Sequence, residues 1–139
     1  MKITLCVLTL NERPSLEVTF PKVQRFVDTN AFDEVVAIDG GSTDGTLEYF
    51  EDIGIDILSQ SRSGRGEAML TAFNELDCDA YLFFSPDGNE DVADLPKFRP
   101  LLENGAEIII ASRMMPGAYN EEDDKIFRWR KWANKAFTF

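Results

Sequence analysis

The feature that most constrains this chain is a set of five apolar runs, each five to seven residues long and each followed by a polar loop. They lie at residues 3–9 (ITLCVLT), 34–39 (EVVAID), 55–59 (IDILS), 80–85 (AYLFFS) and 107–112 (EIIIAS). Continuous apolar runs of this length, rich in Val, Ile and Phe, read as strands buried on both faces. Helical periodicity fills the gaps. A helix is expected over residues 15–29, with Pro21 breaking or restarting it. Another is expected over 43–53, with Ser42 or Thr43 as N-cap. A third opens from a glycine loop at residues 64–76, a fourth at 92–103 is offset by Pro96 and Pro100, and a last one spans 125–137. Strands alternating with helices predict βαβ units, hence an α/β fold: a mostly parallel sheet with helices on both faces.

A chain of 139 residues is sized for one domain. It can bury roughly two thirds of the surface that its unfolded form exposes. With 44% hydrophobic and 28% charged residues it is neither disordered, collagenous nor a coiled coil. No run approaches the ~20 apolar residues needed to cross a bilayer. The first apolar run ends in Asn11-Glu12-Arg13, unlike a secretory leader. Histidine is absent, which removes histidine bases, Ser-His and Cys-His pairs and most zinc sites. Cys6 and Cys78 read as small thiols of a reducing cytoplasm, neither paired nor metal-bound. Carboxylates, Arg and Lys, hydroxyls and backbone must carry any chemistry.

The net charge of −11 disfavours nucleic acid as a partner. It is unevenly spread. Residues 125–139 hold Lys125, Arg128, Arg130, Lys131 and Lys135 and no acid, leaving 9 bases against 25 acids, a net −16, in the first 124. On a helix Ile126, Trp129, Ala133, Ala136 and Phe137 share one face, and Arg128, Lys131 and Lys135 another. Tryptophan beside cations suits a membrane interface. The same pattern also suits a helix packed on the body or on a partner. The expected location is cytoplasmic, with peripheral contact on the inner face of the membrane through residues 125–139.

In a parallel sheet ligands bind outside the carboxyl ends of the strands, so the strand-exit loops are where function is read. They hold Thr9-Leu10-Asn11-Glu12, then Asp39-Gly40-Gly41-Ser42-Thr43-Asp44-Gly45-Thr46, Ser61-Arg62-Ser63-Gly64-Arg65-Gly66, Ser85-Pro86-Asp87-Gly88-Asn89-Glu90-Asp91 and Ser112-Arg113. Taken singly, each is also an ordinary turn or helix cap. Together on one edge, carboxylates can hold sugar hydroxyls and Mg²⁺ or Mn²⁺, while Arg and glycine-loop N–H groups can hold phosphate. A dinucleotide fingerprint needs glycines after the first strand and a P-loop needs Gly-Lys-Ser/Thr; neither is present. A phosphoacceptor receiver needs paired acids, an aspartate and a lysine where this chain has Asn-Glu, Arg and Arg.

At these residues the sequence resembles the inverting GT-A glycosyltransferases of family two, nearest the branch of dolichol-phosphate mannose synthase and the polyprenyl-phosphate hexose transferases. Thr9-Leu10-Asn11-Glu12 is similar to that family's Tyr-Asn-Glu, and residues 39–46 to its Asp-Asp-Gly-Ser-x-Asp-Gly-Thr. Gly64-Arg65-Gly66-Glu67-Ala68 is similar to Gly-Lys-Gly-x-Ala, Ser85-Pro86-Asp87 to Asp-x-Asp, and Ala111-Ser112-Arg113-Met114 to Gly-Ser-Arg-Tyr. Gly40 stands where the family has its second aspartate, and Ser85 where it has the first of Asp-x-Asp.

The resemblance implies a Rossmann-like GT-A fold, shortened here. Residues 1–113 would be the nucleotide-sugar-binding half, and 114–139 an acidic loop and basic amphipathic helix that begin the acceptor half. It implies nucleotide contacts at Thr9, Asn11, Glu12, Asp39, Gly41, Ser42, Gly64, Arg65 and Gly66. It implies Mg²⁺ or Mn²⁺ at Asp87 with Asn89 and Glu90, catalytic roles for Asp87 and Arg113, and an acceptor phosphate at Arg113, Arg128 and Arg130. The implied reaction moves a hexose from a nucleoside-diphosphate sugar to a polyprenyl phosphate by metal-assisted inverting displacement. An anionic phosphate oxygen needs no general base, in keeping with a chain without histidine. A nucleotide-sugar-binding module without turnover is the alternative, and a receiver-like α/β signalling module the third.

Overall fold

In the computed structural model, residues 1–27 and 29–112 are described. The chain divides after Ile109, and the architecture below is that of the first unit, Met1–Ile109. Its centre is β1 (Ile3–Thr9), almost wholly buried. β1 pairs in parallel with β2 (Glu34–Asp39) on one side and β4 (Ala80–Phe84) on the other, and β2 pairs in parallel with β3 (Asp56–Ser59). The order is β3-β2-β1-β4. Register places Thr9 beside Asp39 and Asp39 beside Ser59, so the strands end along one edge.

Alternation along β1 sends Ile3, Leu5 and Val7 to one face and Cys6 to the other. Four helical elements cover the first face. α1 (Arg13–Val27) buries Leu16, Phe20 and Val23, one face at helical spacing. α2 (Thr46–Asp52) adds Phe50, whose ring meets Phe20 edge-on at 5.5 Å. A 3-10 turn (Val92–Asp94) and α4 (Leu95–Glu103) add Val92 and Leu95. The second face is covered by α3 (Arg65–Glu75), which sets Ala68 and Ala72 against Cys6 and Ile38. Helices on both faces of a parallel sheet are the architecture the alternation predicts. Burial pushes the Cys6 thiol up to about 12, as expected for a core thiol.

Three local expectations are corrected. Residues 107–112 form no strand, and Ile108 and Ile110 are 83% and 78% exposed. An apolar run becomes a strand only where a neighbour pairs its backbone, and no described segment does so here. Pro21 does not break α1; Phe20 and Val23 on either side are buried in the core, and that packing carries the helix past the missing N–H. α2 starts at Thr46 rather than Thr43, with Gly45 in the left-handed region (φ 91°) as its N-cap. The reason is Asp44, whose Oδ1 accepts the Thr46 N–H at 3.1 Å and its hydroxyl at 2.6 Å. Among the described residues no helix is long and apolar enough to cross a membrane.

Candidate functional site

The strand order places a crevice. The chain moves from β1 outward through β2 and β3, then returns to the opposite side of β1 for β4. The strand order thus reverses between β1 and β4, and in such sheets the ligand crevice lies outside the carboxyl ends of the strands at that point. The loops that reach it are the polar ones.

One wall is formed by the exits of β1 and β2, which are laced together. Asp39 is 2% exposed. Its Oδ2 accepts the N–H of Gly41 at 2.7 Å and of Ser42 at 2.9 Å; its Oδ1 accepts the hydroxyls of Thr9 and Ser42. Gly41 makes that turn at φ 101°, where a side chain is strained. Asn11, itself at φ 56°, donates its N–H to the Ser42 hydroxyl and accepts the Thr43 N–H at 2.8 Å on its side chain. The first turn of α1 is capped from across the gap: the Glu12 N–H donates to the Thr46 hydroxyl and the Arg13 N–H to Asp44, both at 3.0 Å. Those bonds, with the Thr46 hydroxyl foremost, hold the Asp44 carboxyl below its usual range.

The facing wall comes from the exits of β3 and β4. Gln60 donates its side-chain amide to the Arg62 carbonyl at 2.6 Å and shapes the turn that ends at Gly64 (φ 116°). α3 then starts at Arg65 and Gly66, and no side chain caps its first turn. After β4, Ser85 is buried and its N–H donates to Glu90 at 3.0 Å, closing the loop. Asp87 accepts the Asn89 N–H at 3.0 Å. Arg65 reaches over from α3, placing Nη2 3.6 Å from Asp87 Oδ2.

Glu12 joins these two from the first wall. Burial lifts its carboxyl above the usual range; the Ser15 hydroxyl opposes this, the Asp87 and Asp44 carboxylates add to it, and Arg65 opposes it again. So the Glu12 carboxyl lies within electrostatic reach of Arg65 and Asp87, which come from two other strand exits. Thr9, Asn11, Asp39, Gly41 and Ser42 sit in the laced wall, Gly64 and Gly66 at the start of α3, and Asn89 and Glu90 in the loop that Asp87 heads. Arg113, Arg128 and Arg130 lie outside the described residues. Asp44 and Thr46, which lock the wall, were not singled out as site residues, although the Asp-x-Thr spacing at a helix start is the signal for such a cap.

Among the described residues no group of three or more Asp, Glu, His or Cys side chains could hold a metal. The donor set nonetheless fits a cation that arrives with its substrate. Mg²⁺ is commonly held by one or two carboxylates plus substrate phosphates and water, and Asp87 supplies one hard carboxylate at the crevice. A separate cavity of about 290 Å³ opens between β3 and α3, lined by Leu58, Ser59, Ser61, Glu67, Thr71, Asn74 and Glu75. None of the residues named above for the crevice lines it.

Comparison with known proteins gives this geometry a family. The model of the family described as Glycosyl transferase family 2 matches residues 4–138. Glycosyltransferase AglJ of Haloferax volcanii is 36% identical over 115 residues, covering 78% of this chain and 36% of the relative. Dolichol-phosphate mannosyltransferase of Pyrococcus furiosus is 25% identical over 122 residues, covering 84% of this chain and 34% of the relative. The chain thus spans about a third of the length of these two curated relatives. Among solved structures, Mycobacterium tuberculosis glucosyl-3-phosphoglycerate synthase in complex with Mn²⁺ and uridine-diphosphate-glucose superposes with a TM-score of 0.64. It is 26% identical, and the match covers 75% of this chain and 40% of that one.

Proposed function

The chain belongs to glycosyltransferase family 2, and on that footing we propose that it binds a nucleoside-diphosphate sugar in the crevice between β1 and β4 and transfers the hexose to a polyprenyl phosphate. The observation that carries this reading is the convergence of Glu12, Arg65 and Asp87 at the sheet's switch point, with Arg65 and Asp87 3.6 Å apart. A carboxylate for hydroxyls, a guanidinium for the diphosphate and a carboxylate for its counter-ion are the groups such a donor requires.

The reaction is one in-line displacement. An anionic oxygen of the acceptor phosphate forms a bond to the anomeric carbon as the bond to the nucleoside diphosphate breaks, with inversion. Negative charge grows on the leaving diphosphate, and the Arg65 guanidinium is placed to stabilise it. A divalent cation bound through Asp87 would neutralise the same diphosphate as a Lewis acid. The acceptor oxygen carries no proton near neutral pH, so no base is needed. Asp39 acts through the loop it orders, and Glu12 through the donor's hydroxyls. Arg113, Arg128 and Arg130 receive the acceptor phosphate, and the basic, aromatic stretch 125–139 meets the lipid surface. The Pyrococcus relative, named for a dolichol-phosphate acceptor, supports this choice of lipid.

The test is ligand-dependent stability. Uridine or guanosine diphosphate with Mn²⁺ at 100-fold over Kd should stabilise the chain by about 2.7 kcal/mol. No shift with any nucleoside diphosphate, with or without metal, sinks the donor site. A second reading, binding without turnover, is favoured by Gly40 and Ser85 standing where the family has aspartates. Donor binding with no hexose transferred to polyprenyl phosphate decides for it.

A further inference from the structure

Under the donor-site reading, Arg65 serves the anionic diphosphate and Asp87 a divalent cation. In the structure the two face each other, Nη2 to Oδ2 at 3.6 Å. They differ in how they are held. The Arg65 side chain is 70% exposed, and Asp87 is its one ion-pair partner among the described residues. The Asp87 side chain is 24% exposed, and its Oδ1 accepts the Asn89 N–H at 3.0 Å. An unpinned cation on a long stem thus stands against an anion fixed in its loop.

We propose that Arg65 is an internal competitor for the cation position on Asp87, so that a divalent metal and a nucleoside diphosphate load as a pair. This rests on the donor-site reading and adds an order of events to it. A guanidinium and a divalent ion sharing one carboxylate repel each other. At a separation of about 4 Å, even in water, that repulsion is worth roughly tenfold or more in affinity. Metal alone must therefore drive Arg65 away with nothing to receive it. A diphosphate removes that penalty, because its oxygens take the guanidinium in charge-assisted hydrogen bonds as the metal takes Asp87. Each ligand then strengthens the other by the same factor, as linkage requires.

The experiment uses the full 139-residue chain. Mn²⁺ alone is titrated by the loss of its free-ion paramagnetic resonance signal, and uridine diphosphate is titrated by calorimetry with and without Mn²⁺. Arg65→Met should bind Mn²⁺ alone about tenfold tighter than the parent, bind the nucleotide alone more weakly, and lose about the same factor of coupling between them. Arg65→Lys keeps the charge and should retain most of the coupling, while Asp87→Asn should lose the Mn²⁺ site. Because Arg65 is exposed, folding is expected to survive; Arg65→Gln serves if the Met variant does not fold. If Arg65→Met binds Mn²⁺ no tighter than the parent, while the parent still binds Mn²⁺ with the nucleotide, the competition is overturned and the donor site stands. If the parent binds no nucleotide at all, both fall.

Discussion

On one side of the crevice Asp39 is 2% exposed and accepts hydrogen bonds from Thr9, Gly41 and Ser42. On the other, Asp87 accepts one backbone N–H from Asn89 and faces a guanidinium that is 70% exposed. Asp39 ends β2 and Asp87 lies in the loop after β4, and both belong to motifs that resemble the same family. The first spends its charge on its own loop. The second takes one backbone N–H on Oδ1 and sets Oδ2 against the Arg65 guanidinium. A buried carboxylate saturated by internal donors is a device for holding backbone in place. A half-exposed one paired loosely with an exposed cation is available to a ligand. One wall is therefore built from the chain alone, and under the proposed reading the other is finished by a ligand.

The sharpest way to break that contrast is to remove each aspartate. Asp39→Ala orphans two backbone N–H groups and two hydroxyls in a partly buried turn. It should cost about 3 kcal/mol of stability and lower Tm by ~10 °C, read by thermal or denaturant unfolding. Nucleotide affinity should fall whether or not metal is present, because the wall that presents Asn11 and Glu12 loosens. A variant as stable as the parent would mean that Asp39 orders nothing, and the contrast would collapse.

Asp87→Ala should do the reverse. Its carboxylate holds only the Asn89 N–H and a surface ion pair, so unfolding should shift by less than ~1 kcal/mol. The metal-dependent part of nucleotide stabilisation should vanish, and the metal-independent part should remain. That outcome would be seen by repeating the melting series with the nucleotide, with and without Mn²⁺. A stable Asp87→Ala chain that still gains from Mn²⁺ would move the cation elsewhere, with Asn89 and Glu90 the next residues to test.

Much of the framework is legible in the residues, because strands buried on both faces cannot hide. ITLCVLT and EVVAID are apolar through their middles, and both became central strands. EIIIAS reads just as well and is not a strand, since pairing is a property of a neighbour and not of the run itself. Ser42 is equally instructive. As a serine before a helix it looks like an N-cap, but its hydroxyl bonds Asp39 and receives the Asn11 N–H, and the cap falls to Gly45. The choice among Ser42, Thr43, Asp44 and Gly45 depends on what lies across the gap, which local spacing does not record. The same holds at the crevice. Glu12, Arg65 and Asp87 stand out as polar residues at strand exits, but the approach of Arg65 to Asp87 depends on α3 crossing from β3 back to β4.

The smallest effect expected sits on Glu12, which belongs to the laced wall by its backbone and to the open wall by its charge. Its N–H is locked to Thr46, while its carboxyl is raised by burial, with Asp87 and Asp44 adding to the shift against Ser15 and Arg65. A carboxyl whose folded pKa lies above its unfolded value binds protons more readily in the native state. Its stabilising contribution is complete below the unfolded pKa and is lost as pH rises through the folded one. At neutral pH the Glu12 charge is therefore a small burden, which solvent screening keeps to ~0.5 kcal/mol or less. Glu12→Gln should be slightly more stable than the parent at pH 7, with the gain shrinking as pH falls toward the unfolded value. Asp44, whose carboxyl is lowered, has the opposite sign: its contribution is present above the unfolded pKa and is lost as pH falls through the folded one. A pH series of unfolding curves on parent and Glu12→Gln separates the two. In the same variant nucleotide affinity should drop if, as proposed, the charge that burdens the fold is the one offered to the donor's hydroxyls. Stability rising while binding falls would mark Glu12 as strained for its ligand; if both move together, its carboxylate belongs to the scaffold wall.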